Sequence, residues 1–246
     1  MTEIRRPPPL SISGGTALFL DFDGTLVELA EVPDAIDVPS GLRPLLGRLA
    51  GRFEGRLAIV SGRALDDLQG HLGGSGVVLA GSHGAELLYP DGRQVPVAVP
   101  SGLAAAREAI RGFANRTEGL LVEDKPAGAA LHYRLAPERE DEAIAFVEEL
   151  AGRSGFAVQR GKMVVELRPA GADKGAALRR LMAEPPFAGG RPVFVGDDLT
   201  DEEAFRAAAE LGGEGVLVGP PRATAARARL EDVAAVTRWL EAAAYG

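Results

Sequence analysis

Two aspartates separated by a single residue, Asp21 and Asp23, are the first side chains along the sequence with an evident chemical use. They follow the apolar run 17–20, which predicts a buried strand that ends at the first carboxylate. Two negative charges this close repel each other unless a cation neutralises them, and Mg²⁺ prefers such oxygen ligands. Gly24 would let the backbone turn sharply away. A calcium-type loop or a simple turn is the alternative interpretation of this pattern.

A second polar cluster, Ser61, Gly62 and Arg63, follows the apolar run 57–60 and precedes a predicted helix. A hydroxyl group together with free backbone N–H groups at a helix N-terminus can bind an anion such as phosphate. Because Ser-Gly is also a common helix cap, the tripeptide alone is a weak signal. It therefore predicts a phosphate site only in combination with the other clusters.

Two more clusters lie in the last third of the chain. Lys174 begins a predicted helix, where its ammonium could contact a phosphoryl oxygen or a carboxylate, although a solvated surface lysine is the alternative. Asp197, Asp198 and Asp201 follow the apolar run 193–195 and form a strongly negative group. Helix capping would explain Asp201 but leaves Asp197 and Asp198 without a structural reason.

The elements that must position these clusters follow one pattern, in which short apolar runs alternate with longer amphipathic segments. This pattern predicts an α/β fold with a doubly wound parallel sheet, and ligands bind such sheets at the carboxyl ends of the strands. Asp91-Gly92 predicts a hairpin turn between strands at 87–89 and 95–99. The run 216–218 is interpreted as the last strand, followed by a helix in which Trp239 is a core residue.

Between residues 101 and 169 the pattern changes to a helix followed by two strands, repeated once. This arrangement predicts a small α+β unit inserted into the first domain, because the strand–helix alternation resumes afterwards. The expected domains are therefore a core formed by residues 1–100 and 170–246 and an insertion formed by residues 101–169.

The four clusters together resemble the motifs of haloacid dehalogenase-type (HAD) phosphatases, and the insertion resembles the α+β cap of the sugar-phosphatase branch. The motifs are, in chain order, Asp-Phe-Asp-Gly-Thr at 21–25, Ser-Gly-Arg at 61–63, Asp-Lys-Gly at 173–175 and Gly-Asp-Asp-Leu-Thr-Asp at 196–201. Further segments narrow the resemblance to the trehalose-6-phosphate phosphatase family: 81–86, 123–125, 132–134 and 165–169. The similarity extends from Ala17 to Val218, and Pro126 departs from the pattern of the family.

The resemblance implies a phosphoric monoester hydrolase that cleaves trehalose 6-phosphate through an aspartyl-phosphate intermediate. It assigns Asp21 as the nucleophile and Asp23 as the general acid and base, with Lys174 completing the catalytic group. Ser61, Gly62 and Lys174 would bind the phosphoryl oxygens. The implied cofactor is Mg²⁺, held by Asp21, by the backbone carbonyl of Asp23 and by Asp197. Supporting roles around the metal and the lysine fall to Thr25, Asp198 and Asp201.

A further set of polar residues is expected to bind the sugar when the inserted unit closes, which would exclude water. For each of them taken singly, a solvated surface is the commoner explanation. His83 could also be a satisfied loop histidine. The set consists of Arg63, His83, Glu123, Lys125, His132, Arg134 and Glu166.

Composition excludes several other classes of protein. The net charge of −8 argues against a nucleic-acid or membrane surface, and the absence of cysteine excludes disulfides and thiolate metal sites and fits the cytoplasm. The proline-rich segment 1–10 lacks the apolar stretch of a secretory signal and is interpreted as a frayed leader. The expected partner is a small phosphosugar. The protein is expected to be a monomer, and any partner synthase would be a separate chain.

Three alternatives to this function remain open at the level of sequence. The same core motifs would serve a phosphatase for sucrose phosphate, mannosyl-3-phosphoglycerate or a hexose phosphate. A phosphosugar mutase is less favoured, because it would need a donor phosphate. A non-catalytic sugar-phosphate sensor on the same fold is the alternative from another class. The presence of both Asp21 and Asp23 argues against the sensor.

Overall fold

The strands of the protein form two separate sheets in this computed structural model, which describes residues 5–10, 15–29, 36–95, 99–161 and 163–246. In chain order the strands are β1 (Thr16–Leu20), β2 (Leu57–Val60), β3 (Val78–Gly81), β4 (Glu86–Leu88), β5 (Gln94–Val95), β6 (Leu121–Lys125), β7 (Gly128–His132), β8 (Phe156–Gly161), β9 (Val164–Pro169), β10 (Arg191–Gly196), β11 (Glu214–Val218) and β12 (Ala228–Leu230). The helices are α1 (Leu42–Arg52), α2 (Leu65–Leu72), α3 (Leu103–Ala114), α4 (Glu140–Ser154), α5 (Lys174–Met182), α6 (Glu202–Glu210) and α7 (Val233–Tyr245).

The chain divides into two compact units, Met1–Val95 with Asp173–Gly246, and Pro96–Ala172. The first unit contains the eight-stranded sheet, in the order β12-β11-β10-β1-β2-β3-β4-β5. The strands from β12 to β3 are parallel, whereas β4 and β5 are antiparallel. The predicted hairpin exists as β4 and β5, and the part of its second strand at 96–98 lies outside the described residues.

Strand β1 is buried along its whole length, which explains its continuous apolar run. Leu18 and Leu20 pack into a core that includes α1, α2 and α7, whereas Ala17 and Phe19 pack into a second core that includes α5 and α6. Alternate residues of the strand thus support two cores on opposite faces of the sheet, as expected for a doubly wound α/β fold. The carboxyl end of β1 therefore emerges in the middle of the sheet, between β10 and β2.

Two predictions about the chain ends are wrong. β11 is not the last strand, because β12 pairs with it in parallel register. The short sequence Ala-Arg-Leu of β12 has no apolar run that would have revealed it. Residues 5–10 are not a frayed leader, since Arg5 forms a parallel bridge with Ala228 and an ion pair with the buried Glu214. Trp239, predicted as core, is only partly buried and donates from its indole N–H to the Pro8 carbonyl at 2.9 Å.

The second unit is a two-layer α+β structure whose antiparallel sheet has the order β6-β7-β9-β8. One face of this sheet supplies Leu131, Val165 and Leu167 to a core shared with α3 and α4. The opposite face carries Glu123 and Glu166, which both lie opposite Ala130 in neighbouring strands. None of the helices among the described residues is long and apolar enough to cross a membrane.

Candidate active site

A buried ionic cluster lies at the carboxyl end of β1, where Asp21 leaves the strand. The Asp21 backbone N–H donates to the Val195 carbonyl at 2.9 Å, which holds this residue against β10. Lys174, the first residue of α5, places its Nζ atom 2.8 Å from Asp21 Oδ1 and 2.6 Å from Asp201 Oδ1. All three side chains are at most 5% exposed. One ammonium group therefore binds two buried carboxylates.

Asp197 adds a third carboxylate to this cluster. Ligand oxygens of Asp21, Asp197 and Asp201 all lie within 4.8 Å of one another, and Thr25 Oγ1 donates to Asp197 Oδ1 at 3.4 Å. Three carboxylates against the single ammonium of Lys174 leave a formal charge of −2. This donor set, made only of oxygen atoms with two uncompensated negative charges, fits a hard divalent cation.

The burial of the cluster and its uncompensated negative charge raise the pKa values of Asp21 and Asp197. Burial raises the pKa of Asp21 well above its ordinary value, an effect that Lys174 opposes and Asp201 reinforces. Burial and the nearby Asp201 raise the pKa of Asp197 to about 6. Burial alone would lower the pKa of Lys174, but the carboxylates of Asp201 and Asp21 raise it, so the ammonium stays charged. A bound cation would relieve the repulsion among the carboxylates.

Gly24 explains how the turn after β1 can pass so close to the carboxylate cluster. Its φ angle of +74° lies in the left-handed region, and a Cβ atom placed on it would overlap Asp197 Oδ2. Its backbone N–H donates to the Val27 carbonyl at 2.8 Å, which closes the turn. Glycine is therefore needed here both for the backbone conformation and for the approach of Asp197.

Asp23 does not join the carboxylate cluster with its side chain. Arg63 binds the Asp23 carboxylate through two hydrogen bonds, Nε to Oδ2 at 2.7 Å and Nη2 to Oδ1 at 2.8 Å. The remaining Nη1 of Arg63 donates to Asp67 Oδ2 at 2.7 Å. The guanidinium, predicted to contact the sugar, thus holds the predicted acid–base residue in a two-point ion pair.

The loop that contains Ser61 and Gly62 is supported by the short 3₁₀ turn Ser82–Gly84. His83 N–H donates to the Ser61 carbonyl at 2.8 Å, and Ser82 N–H donates to the Arg63 carbonyl at 2.7 Å. A Cβ atom on Gly62 would lie 2.7 Å from His83 Cε1, so the loop rests directly on the imidazole. His83 is buried with a φ angle of +57°, and through these contacts it supports the loop of Ser61 and Gly62.

The aspartates after β10 have partly different roles from those expected of them. Asp198 is the N-cap of the turn Leu199–Asp201, where its Oδ1 accepts from Leu199 N–H at 2.7 Å. Asp201 Oδ2 in turn accepts from Asp198 N–H at 2.9 Å, which completes a capping box. The expectation that capping could not explain Asp198 is therefore wrong. Asp201 combines capping with its bond to Lys174.

Sequence reasoning missed Arg222, which fixes the backbone of this acidic loop. Its Nη2 donates to the carbonyl of Asp198 at 2.8 Å and to that of Asp197 at 3.3 Å. Its Nη1 bonds to Glu202, whose other oxygen accepts from Ala225 N–H at 2.8 Å. Arg222 lies outside every motif, and only its position in the fold reveals its connection to the site.

The polar face of the second unit brings together most of the predicted sugar-binding residues. Glu123 accepts from Lys125 Nζ at 3.0 Å and contacts His132 Nε2 at 2.9 Å. The hydrogen bond with His132 and the charge of Lys125 lower the pKa of Glu123 to about 2. Burial raises the pKa of the half-buried Glu166 above its ordinary value.

The structure differs from the sequence prediction at other residues of this unit. Arg134 is exposed in the turn after β7 and lies outside the sheet. Gln159 and Arg168, which were not predicted as site residues, belong to the polar face because Gln159 lies opposite Glu166 and Arg168 follows Glu166 by two positions in β9. The alternation of side chains along β9 is the signal that could have identified Arg168.

The fold and this site together define a HAD-type hydrolase, with an aspartate at the end of the central parallel strand and an inserted α+β unit. The family model described as trehalose-phosphatase matches residues 19–232. The chain therefore belongs to the trehalose-phosphatase family, and it is a phosphoric monoester hydrolase.

Individual relatives agree with this assignment. The chain is 44% identical over 207 residues to a probable trehalose-phosphate phosphatase of Sinorhizobium fredii. The alignment covers 83% of this chain and 78% of the relative. It is 38% identical over 243 residues to trehalose-6-phosphate phosphatase of Escherichia coli. This alignment covers 98% of this chain and 91% of the relative. The fold is similar to that of the C-terminal domain of Candida albicans trehalose-6-phosphate phosphatase, with a TM-score of 0.81 at 24% identity over 98% of this chain and 99% of that chain.

Proposed function

We propose that this protein hydrolyses trehalose 6-phosphate to trehalose and phosphate, with Asp21 as the nucleophile. The observation that carries the proposal is the position of Asp21 at the end of β1, bound to Lys174 within a cluster that retains two negative charges. Family membership supports the substrate, because relatives matched over most of their length are named as phosphatases of this sugar phosphate.

The chemistry takes place in two displacements at phosphorus. The Asp21 carboxylate attacks phosphorus, and the bond from phosphorus to the sugar oxygen breaks while Asp23 gives a proton to that oxygen. Asp23 then takes a proton from water, whose oxygen attacks the aspartyl phosphate and releases Asp21. Arg63 holds Asp23 in the present structure, so Asp23 must exchange this ion pair for the substrate, while Asp67 keeps hold of Arg63.

The implied cofactor is Mg²⁺, which Asp21, Asp197 and the backbone carbonyl of Asp23 would hold. When bound, the ion neutralises charge on the phosphoryl group and on the carboxylates around it. Asp201 supports this set by fixing Lys174, as its 2.6 Å bond to the ammonium indicates. Mg²⁺ suits the site because it accepts a small number of carboxylates together with phosphate oxygens.

Ser61, Gly62 and Lys174 bind the phosphoryl oxygens. The Ser61 hydroxyl belongs to a loop that leads into α2, where backbone N–H groups point away from the helix and favour an anion. Lys174 contributes an ammonium to the cluster and stabilises charge that moves onto the phosphoryl oxygens. Lys174 needs no reorganisation at the moment of reaction, because its bonds to Asp21 and Asp201 already fix the ammonium.

The polar face of the second unit recognises the sugar. Glu123, Lys125, His132 and Glu166 supply donors and acceptors at the spacing of neighbouring strands, which suits a polyol with many hydroxyl groups. We assign Gln159 and Arg168 to the same surface on the basis of the strand register. Arg134 lies in an exposed turn outside this sheet, so we do not assign it to the surface.

The direct test is phosphate release from trehalose 6-phosphate, sucrose 6-phosphate and glucose 6-phosphate, each with Mg²⁺ and with EDTA. We expect a strong preference for trehalose 6-phosphate that EDTA abolishes and that the Asp21→Asn variant lacks. Activity on another sugar phosphate alone would refute the substrate but leave the chemistry intact. Turnover by Asp21→Asn near the wild-type level would refute the covalent mechanism.

Recognition of the sugar is tested separately with Glu166→Gln. Losing a hydrogen bond to a charged group should raise KM for trehalose 6-phosphate roughly tenfold or more, while KM for p-nitrophenyl phosphate stays unchanged. Glu118→Gln, an exposed glutamate of the same unit, is the matched control and should behave as wild type. An equal loss on both substrates would rule out a role confined to the sugar.

A further inference from the structure

A cavity of the first unit lies at the edge of its sheet, away from the carboxylate cluster. It has a volume of about 380 Å³ and is lined mainly by Arg6, Arg229, Glu231, Arg238 and Trp239. Two of its lining residues belong to β12, the edge strand of the sheet. Strands β11 and β10 lie between β12 and β1, the strand that precedes Asp21. The cavity is therefore distinct from the catalytic site.

The charge of this cavity is opposite to that of the whole protein. Three arginines and one glutamate line it, which leaves two positive charges in a chain whose net charge is −8. Among the residues that the structure describes, neither Arg6 nor Arg238 forms an ion pair with a carboxylate. Positive charges collected in a concave surface, in excess of the one carboxylate there, attract anions.

Backbone contacts hold the segment around Arg6, and a hydrogen bond orients the Arg229 side chain. Two anchors flank Arg6 along the chain: Arg5, whose carbonyl accepts from Arg229 N–H at 2.9 Å, and Pro8, whose carbonyl accepts from the Trp239 indole at 2.9 Å. The Arg229 side chain is oriented by a hydrogen bond of 2.7 Å from Nη1 to the Gly219 carbonyl, which leaves its other donors for a ligand. The contacts of Arg5 and Pro8 thus keep Arg6, a lining residue, at the cavity.

We propose that this cavity is a binding site for a small molecule that carries phosphate groups, separate from the catalytic site. Arginine is suited to phosphate because its planar guanidinium donates two parallel hydrogen bonds. The volume exceeds that of a lone phosphate and falls within the range of small-molecule pockets. Trp239 adds an aromatic surface for a planar part of the ligand, so a nucleotide should bind more tightly than a simple polyphosphate.

The protein contains a single tryptophan, and Trp239 lines this cavity, so tryptophan emission reports on the surroundings of a lining residue. The experiment titrates the full chain with ADP and with inorganic pyrophosphate in EDTA, following tryptophan emission, and repeats each titration by calorimetry. We expect a saturable change in emission with both probes. The double variant Arg6→Gln/Arg238→Gln should weaken binding at least tenfold.

The matched control is Arg180→Gln/Arg206→Gln, which removes the same charge from exposed positions outside the cavity. Retention of wild-type affinity in this control, with loss in the cavity variant, supports the site. An equal loss in both double variants would show that only the net charge matters and would overturn the proposal. The absence of both a saturable fluorescence change and a binding heat in the wild type would also overturn it.

Discussion

The Nζ atom of Lys174 lies 2.8 Å from Oδ1 of Asp21, and both side chains are almost completely buried. Asp201 shares the same ammonium at 2.6 Å, so neither carboxylate has the lysine to itself. Without a cation the cluster carries more negative than positive charge. Removing the negative charge of Asp21 should therefore stabilise the fold, whereas removing the positive charge of Lys174 should destabilise it. This asymmetry makes the cluster testable without any measurement of activity.

Asp21→Asn should raise the melting temperature in metal-free buffer at neutral pH. Burial raises the pKa of Asp21, which means that its ionised form destabilises the folded state, and asparagine removes that charge at nearly the same volume. The measurement is thermal unfolding in EDTA. The same variant should gain less than wild type when Mg²⁺ is added, because it has lost a ligand.

Lys174→Met should lower stability in the same buffer by about 3–5 kcal/mol, because it leaves buried carboxylates without their ammonium. Denaturant unfolding in EDTA measures the loss. Lys174→Met and Asp21→Asn serve as controls for each other, since each removes one charge from the same cluster. If both variants lost stability equally, the excess of negative charge would not govern this site.

Gly24→Ala should weaken divalent-metal binding beyond the cost of its backbone strain. The methyl group would collide with Asp197 and displace that carboxylate, whereas Gly212 has a similar φ angle of +78° and nothing within 4 Å of its Cβ position. Gly212→Ala should therefore cost about 1 kcal/mol of stability without changing metal affinity. Calorimetric titration with Mg²⁺ or Mn²⁺ separates the two variants. Equal affinities in both would contradict the role of Gly24.

Arg222→Gln should reduce metal affinity about 10–100-fold while leaving the fold intact, because it frees the carbonyls of Asp197 and Asp198 without removing any ligand. The readout is metal binding by calorimetry, supported by the Mg²⁺ concentration that half-saturates activity. Arg206→Gln, an exposed arginine that pairs only with Glu203 among the described residues, is the control. A fall in kcat with unchanged metal affinity would show that Arg222 acts in another way.

The Glu123 carboxylate should titrate at a pKa of about 2, below its ordinary value of 4.5. A depressed pKa means that ionised Glu123 stabilises the fold above pH 4.5, and this contribution is lost as the pH falls towards 2. Because the side chain is 44% exposed, solvent screening reduces its energetic weight. Carboxyl NMR titration measures the pKa. In His132→Gln it should move up towards 4.5, and an unchanged value would contradict the assigned cause.

Much of the site was predictable because its residues cluster in short motifs at the ends of apolar runs. Residues 17–20 and 57–60 are continuous apolar segments because both faces of their strands are buried, and such segments are easily recognised. β12 was missed for the opposite reason, since an edge strand of three residues needs no apolar run. The segment 5–10 was misjudged because its order depends on contacts with Ala228 and Trp239, more than two hundred positions away.

The sequence alone determined the class of chemistry, the alternation of strands and helices, and the family, because these depend on residue types at short spacing. Only the tertiary structure decided which side chains meet: that Lys174 serves both Asp21 and Asp201, and that Arg63 holds Asp23. It also decided that Arg222 supports the acidic loop. The physical reason is that a hydrogen bond or ion pair depends on distances of about 3 Å between atoms, which packing of the whole chain sets.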